Sequence, residues 1–115
     1  MLVVKNKRES MFFALGGRME PGETELQCLQ REVMEEIGCT VKDPKHFAAF
    51  EGMNHDNTKT MWTSCYLCEL EGNISPQSEI AECAWIDRDY QKKGIRVAGM
   101  LELNIIPALI KHKLL

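Results

Sequence analysis

One stretch, Gly17 to Cys39 (GRMEPGETELQCLQREVMEEIGC), constrains the fold more than any other part of the chain. It opens on a loop containing Pro21-Gly22, continues as an uninterrupted run of helix-forming residues and stops at Gly38. Thr24 followed three residues later by Gln27 is a capping box, which predicts a helix starting at about Glu25. Gly38 suits the left-handed position that ends a helix. Between these ends Leu26, Leu29, Val33 and Ile37 recur at helical period and form the expected buried stripe.

The acidic residues of this helix are unusually placed. Glu32 and Glu36 lie about 40° apart around the axis, and Glu35 about 60° from Glu32. All three flank the buried stripe instead of pointing away from it. Glu35 and Glu36 also fall in the last turn, where the helix dipole opposes negative charge by roughly a few tenths of a kcal/mol each. No Lys or Arg lies four residues further along the helix to offset them. Two readings follow. The cluster is either a solvated acidic face, the common fate of charge runs, or a set of oxygen ligands for a hard divalent cation.

The same stretch resembles the signature of the Nudix hydrolases: Gly, five residues, Glu, seven residues, then Arg-Glu-apolar-any-Glu-Glu-any-Gly-apolar. Gly17, Glu23, Arg31, Glu32, Val33, Glu35, Glu36 and Gly38 match in register. Cys39 stands where Ile, Leu or Val is usual, and a buried cysteine serves as a small hydrophobe. Leu15-Gly16-Gly17 replaces the common Pro-Gly-Gly approach. The resemblance implies an α/β fold, a Nudix-type α/β/α sandwich with a mixed β-sheet and a loop–helix–loop catalytic motif. It implies hydrolysis of a nucleoside diphosphate linked to another group, with Mg²⁺ as cofactor and Mn²⁺ as the alternative. Glu32, Glu35 and Glu36 would be the metal-binding carboxylates, joined by the backbone carbonyl of Gly16. Glu32 is also a candidate base, while Arg31 and Glu23 would position the loop and helix. A fourth carboxylate comes from a distant loop in the family. Glu79 is the preferred candidate here, ahead of Glu82.

At 115 residues the chain suits one domain, spanning 1–115. A net charge of −3 gives no electrostatic case for a nucleic-acid polymer as partner. The apolar runs are too short to span a bilayer and no signal peptide is visible, so no membrane role is expected. Five irregularly spaced cysteines argue against a disulfide framework and for a reducing cytoplasm. Cys65 and Cys68 form a CxxC inside an expected strand, where residues three apart point to opposite faces. Core packing is therefore expected over zinc binding.

Along the chain, Leu2 to Lys5 reads as a strand and Met11 to Leu15 as a second apolar run. Thr40 to Lys45 reads as a turn closed by Asp43-Pro44, and His46 to Glu51 as a strand. Thr60 to Leu70 is the longest strand candidate. Ala81 to Ile86 is another, with Trp85 expected in the core. Asp87 to Lys93 suggests a helical turn ended by Gly94, and Gly99 to Lys113 a terminal helix kinked or split by Pro107. The first strand usual in the family has no counterpart, since only about 15 residues precede Gly17. The expectation is that a partner chain, for instance in a homodimer, closes that gap, or that the natural chain begins upstream of Met1.

Substrate class is read from absent markers. By resemblance, ADP-ribose and dinucleoside polyphosphate subfamilies carry a proline or a tyrosine some fifteen residues or more after the signature. Those positions hold Asn54, His55 and Asp56. A small nucleotide substrate, a canonical or oxidised nucleoside triphosphate cut to monophosphate plus pyrophosphate, is expected. Residues 54–57 would supply hydrogen bonds to the base edge and Trp62 a stacking surface. Of the histidines, only His55 is placed to contact substrate. The alternatives are a catalytically weak Nudix-fold nucleotide-binding module and a hydrolase of another diphosphate such as a nucleotide sugar.

Overall fold

The computed structural model describes residues 1–53 and 58–115. Its first strand, β1 (Leu2–Asn6), lies between β2 (Phe13–Ala14) and β5 (Ile80–Trp85) in a three-stranded antiparallel sheet. Helix α1 spans Glu25–Ile37. It is followed by the long antiparallel hairpin of β3 (Thr40–Met53) and β4 (Thr60–Glu71). A 3₁₀ turn at Tyr90–Lys93 ends on Gly94, as the sequence predicts. Both sheets are antiparallel, and among the described residues the parallel pairing is confined to an isolated bridge, Phe12 to Val97, outside the strands.

Alternation along β1 sets the layers. Val3 points into a core formed with Phe12, Ile86 and Leu101, against which the terminal helix packs. Leu2 and Val4 point the other way, onto Val33 and Ile37 of α1. Helices thus cover both faces of the sheet. Val3, Val33 and Ile37 are almost wholly buried, each worth roughly 1.5–3 kcal/mol relative to exposure.

Helix α1 begins and ends where its capping residues predict. The Gln27 amide donates to Thr24 Oγ1 at 3.1 Å, and the Thr24 amide donates to Gln27 Oε1 at 2.9 Å. Gly38 takes φ 71° and closes the helix with its amide on the Met34 carbonyl. The buried stripe differs at its first member. Leu26 is exposed, while Cys28 is buried. Cys28 lies about 140° round from Val33 and packs under the preceding loop, its thiol donating to the Gly17 carbonyl.

Three further expectations are corrected. The turn expected at Thr40–Lys45 is a bulge inside β3. Asp43 takes φ 50° and the register shifts between Lys42 and Lys45, so the proline is extruded without ending the strand. Trp85 is 67% exposed. It ends β5, and Ile86 just beyond it fills the core instead. Cys68 is exposed while Cys65 packs on the larger core, so only one member of the CxxC is a core residue. In the terminal helix a π-helical segment, Leu101–Ile105, precedes α2 (Ile106–Lys111). The Ile106 amide reaches back to the Leu101 carbonyl just before Pro107, where the proline lacks a donor.

Among the described residues no ladder joins the β3–β4 hairpin to the β2-β1-β5 sheet. A cleft of about 1260 Å³ runs between them. Every residue from 59 to 70 lines it, which includes both faces of β4, so the cleft follows the strand's edge. Residues 14–19 line the opposite wall. None of the helices formed by described residues is long and apolar enough to cross a membrane.

Candidate active site

The loop before α1 folds back along the helix, and Gly16 and Gly17 make that approach close. Gly16 takes φ 123°, and its amide donates to Glu36 Oε1 at 2.9 Å. At Gly17 a Cβ would lie 2.5 Å from the Glu32 carboxyl carbon. Only a glycine lets this backbone pass so near that carboxylate. Glu32 and Glu36, one turn apart on α1, therefore flank the same dipeptide.

Arg31 holds the other side of the arrangement. Its Nε donates to Glu23 Oε2 at 2.7 Å and its Nη2 to Glu23 Oε1 at 3.0 Å, a bidentate clamp. The same Nη2 donates to the Arg18 carbonyl at 3.0 Å, and Nη1 donates to Glu32 Oε1 at 2.8 Å. Glu35 approaches Nη1 at 3.4 Å. One guanidinium thus ties the loop, the first glutamate of the motif and the helix together, and offsets Glu32 and Glu35 from four residues or fewer behind. The bonds from Arg31 hold the Glu23 carboxyl down at about 2, and the Arg31 guanidinium is correspondingly harder to deprotonate.

Glu36 differs from its neighbours. Burial pushes its carboxyl up to about 7, repulsion from Glu32 and Glu35 adds to the rise, and the Gly16 amide partly opposes it. A half-buried carboxylate repelled by two others is an arrangement that a hard cation relieves, and the donors are all oxygens, as Mg²⁺ requires. The residues present therefore fit such an ion. Among the described residues no three acidic, His or Cys side chains converge as a ready ligand group. Glu32 and Glu35 are turned onto Arg31, and Glu36 onto the Gly16 amide.

The other predicted residues lie apart. Glu79 is exposed. Its carbonyl accepts from the Lys7 amide, and Glu82 pairs with Lys5 at 3.5 Å. His46 stacks edge-to-face on Tyr66 and His112 on Phe47. His55, with Asn54, Asp56 and Asn57, lies outside the described residues. Trp62 is 68% exposed on the cleft that also reaches Gly16 and Gly17. Residues 72–79 read as a loop from Gly72-Asn73 and Pro76, but sequence reasoning missed that this loop grips the end of α1. The Ser75 amide donates to the Ile37 carbonyl and the Gln77 amide to the Glu36 carbonyl. No spacing rule signals that grip, because the loop is distant in sequence and acts through its backbone.

Comparison with known proteins agrees with this geometry. The family model for the NUDIX domain matches residues 1–96. The NAD-capped RNA hydrolase NudC of Chromobacterium violaceum is 35% identical over 105 residues, 89% of this chain and 36% of its own length. The protein of the same name from Mycobacterium tuberculosis is 35% identical over 87 residues, 76% of this chain and 28% of its own. The chain thus spans well under half the length of these relatives. A solved MutT protein from Bacillus halodurans superposes with a TM-score of 0.65 at 27% identity, covering 83% of this chain and 65% of that one. The Escherichia coli ORF135 protein shares the fold, with a TM-score of 0.76 at 16% identity, over 97% of this chain and 80% of its own. With the signature in register on α1 and the family model matched across most of its length, the chain belongs to the Nudix family.

Proposed function

We propose that the chain carries out Mg²⁺-dependent hydrolysis of the diphosphate bond in a nucleoside diphosphate linked to another group, with Mn²⁺ as the alternative ion. The observation that carries this reading is the flanking of Gly16-Gly17 by Glu32 and Glu36, with Arg31 bracing the loop. Glu32, Glu35, Glu36 and the Gly16 carbonyl would hold the ion, and Glu79 is the candidate for a further ligand. A bound divalent cation supplies charge neutralisation between the phosphates and a more acidic attacking water. Glu32, which flanks Gly17, would be the group that accepts that water's proton. Glu23 and Arg31 orient the loop without touching substrate. A cytoplasmic setting and a homodimer belong to the same reading.

Within this class, the missing subfamily markers support a nucleoside triphosphate, cleaved to monophosphate plus pyrophosphate. The relatives named NAD-capped RNA hydrolase support a second reading, hydrolysis at an NAD group such as the RNA cap in their name, with NAD itself as the probe. The test is kcat/KM for deoxynucleoside triphosphates, NAD and ADP-ribose under one Mg²⁺ concentration. A tenfold or greater preference for triphosphates upholds the first reading, and the same preference for NAD the second. No Mg²⁺-dependent turnover of any of them would point to a binding module instead.

A further inference from the structure

At the far end of α1 from the clustered carboxylates, a second set of side chains spans the cleft. Glu25 opens the helix, and its two carboxylate oxygens each accept one hydroxyl from β4: Ser64 Oγ at 2.6 Å and Tyr66 Oη at 2.7 Å. Ser64 and Tyr66 are two apart on the strand and so share one face. The Tyr66 ring is itself held by His46 of β3, edge-to-face with centroids 5.2 Å apart. Glu25 occupies a variable position within the signature stretch, and Ser64, Tyr66 and His46 lie outside it.

Their position gives them leverage. At its C-terminal end α1 meets the hairpin through apolar packing, Val33 and Ile37 against Val41 and Leu70. Towards its N-terminus the cleft separates the hairpin from the loop 14–19, and Glu25, Cys28 and Leu29 line that cleft. The Glu25 latch crosses the gap there. A carboxylate with one hydroxyl on each oxygen is fixed in rotation as well as distance. Glu32 lies seven residues on, about 10 Å along the same rigid helix. A change of tilt at Glu25 is therefore transmitted to the carboxylates that meet Gly16-Gly17.

We propose that Ser64 and Tyr66, acting through Glu25, are positioning residues for the candidate active site, setting the tilt of α1 that presents Glu32 and Glu36 to the metal. This rests on the hydrolase reading above for its kinetic consequence but not for its structural one. The bonds from both hydroxyls lower the Glu25 carboxyl. Titrating that carboxyl by NMR in the parent, Tyr66→Phe, Ser64→Ala and Ser64→Thr tests the latch itself. A rise in the first two variants, and recovery in Ser64→Thr, is expected.

The functional arm measures the Mg²⁺ concentration giving half-maximal hydrolysis. It should rise about tenfold in Tyr66→Phe and in Ser64→Ala, and return towards the parent value in Ser64→Thr. Ile110→Val, a core change on the opposite layer, serves as the control for lost stability and should leave that concentration unchanged. An unchanged half-saturating Mg²⁺ in Tyr66→Phe, with the Glu25 carboxyl shifted, would overturn the proposal and leave the latch merely structural. An equal rise in Ile110→Val would overturn it too. If the parent hydrolyses no diphosphate, the functional reading falls by itself. The Mg²⁺ concentration giving half of the metal-induced rise in Tm then judges the positioning role on the same variants.

Discussion

Replacing Glu36 by glutamine separates the cost of the acidic cluster from its use. In the parent the Glu36 carboxyl rises from 4.5 to about 7, chiefly through burial. At about 1.4 kcal/mol per pH unit this corresponds to roughly 3 kcal/mol of folded-state destabilisation once the group is ionised. The sign is fixed by the direction of the shift. A carboxyl with a raised folded value favours folding while protonated, so its contribution is full below pH 4.5 and is lost as pH rises to about 7. Glutamine keeps an oxygen for the Gly16 amide but carries no charge. Without metal, the variant should match the parent in Tm at pH 4.5 and exceed it above pH 7. The gain should be about 1–3 kcal/mol, the lower end allowing for a less well solvated amide, or several degrees for a domain of this size. Adding Mg²⁺ should raise the parent's Tm and narrow the difference, since the ion binds the folded cluster. Hydrolysis should fall by at least about a hundredfold. Thermal melts across pH 4.5–8.5 with EDTA and then with Mg²⁺ are sufficient. A variant less stable than the parent at pH 8, or a difference independent of pH, would refute the reasoning.

Gly17→Ala should leave the Tm within about 2 °C, because the added Cβ meets only the mobile end of Glu32, yet lower kcat by about tenfold or more by displacing that carboxylate. Retained kcat would show that Glu32 has no fixed role. Arg31→Lys cannot reproduce the bidentate clamp, so the Glu23 carboxyl should return towards its ordinary range. Stability that the parent loses as pH falls from 4.5 towards 2 should then vary less steeply in the variant, as acid titration followed by circular dichroism would record. Hydrogen exchange on residues 61–69 should show alternate amides of β4 protected by β3 and the intervening ones open along the cleft. Uniform protection in a monomer of residues 1–115 would show the cleft to be closed.

How much was legible in the sequence depended on whether the deciding interactions were local. Helix α1 was readable to the residue, because Thr24, Gln27 and Gly38 act within one turn of themselves. The motif that the stretch resembles implies positioning roles for Arg31 and Glu23, but the clamp between the two side chains is visible only in the fold. Leu26 was misplaced because period alone does not say how far a neighbouring layer extends over a helix. Cys28 was missed because a folded-back loop, not the sheet, buries it. Trp85 has the composition of a core residue but stands at the end of β5, where cover runs out. Asp43-Pro44 looked like a turn since both residues break regular pairing. A long hairpin can absorb them as a bulge, and only its cross-strand register reveals that. The Glu25 latch joins residues 39 and 41 positions apart, beyond any periodicity argument.

The two margins of the β3–β4 hairpin are unlike, and this has a consequence for how copies of the chain meet in solution. The outer margin of β3 is broken by the Asp43-Pro44 bulge, a blunt border that resists growth. The margin of β4 is long and regular, with Trp62 and Leu67 exposed along it. A hairpin sticky on one side only can recruit one neighbour, and that neighbour presents its own blunt side outward. Self-association through this element should therefore stop at pairs instead of continuing into fibres.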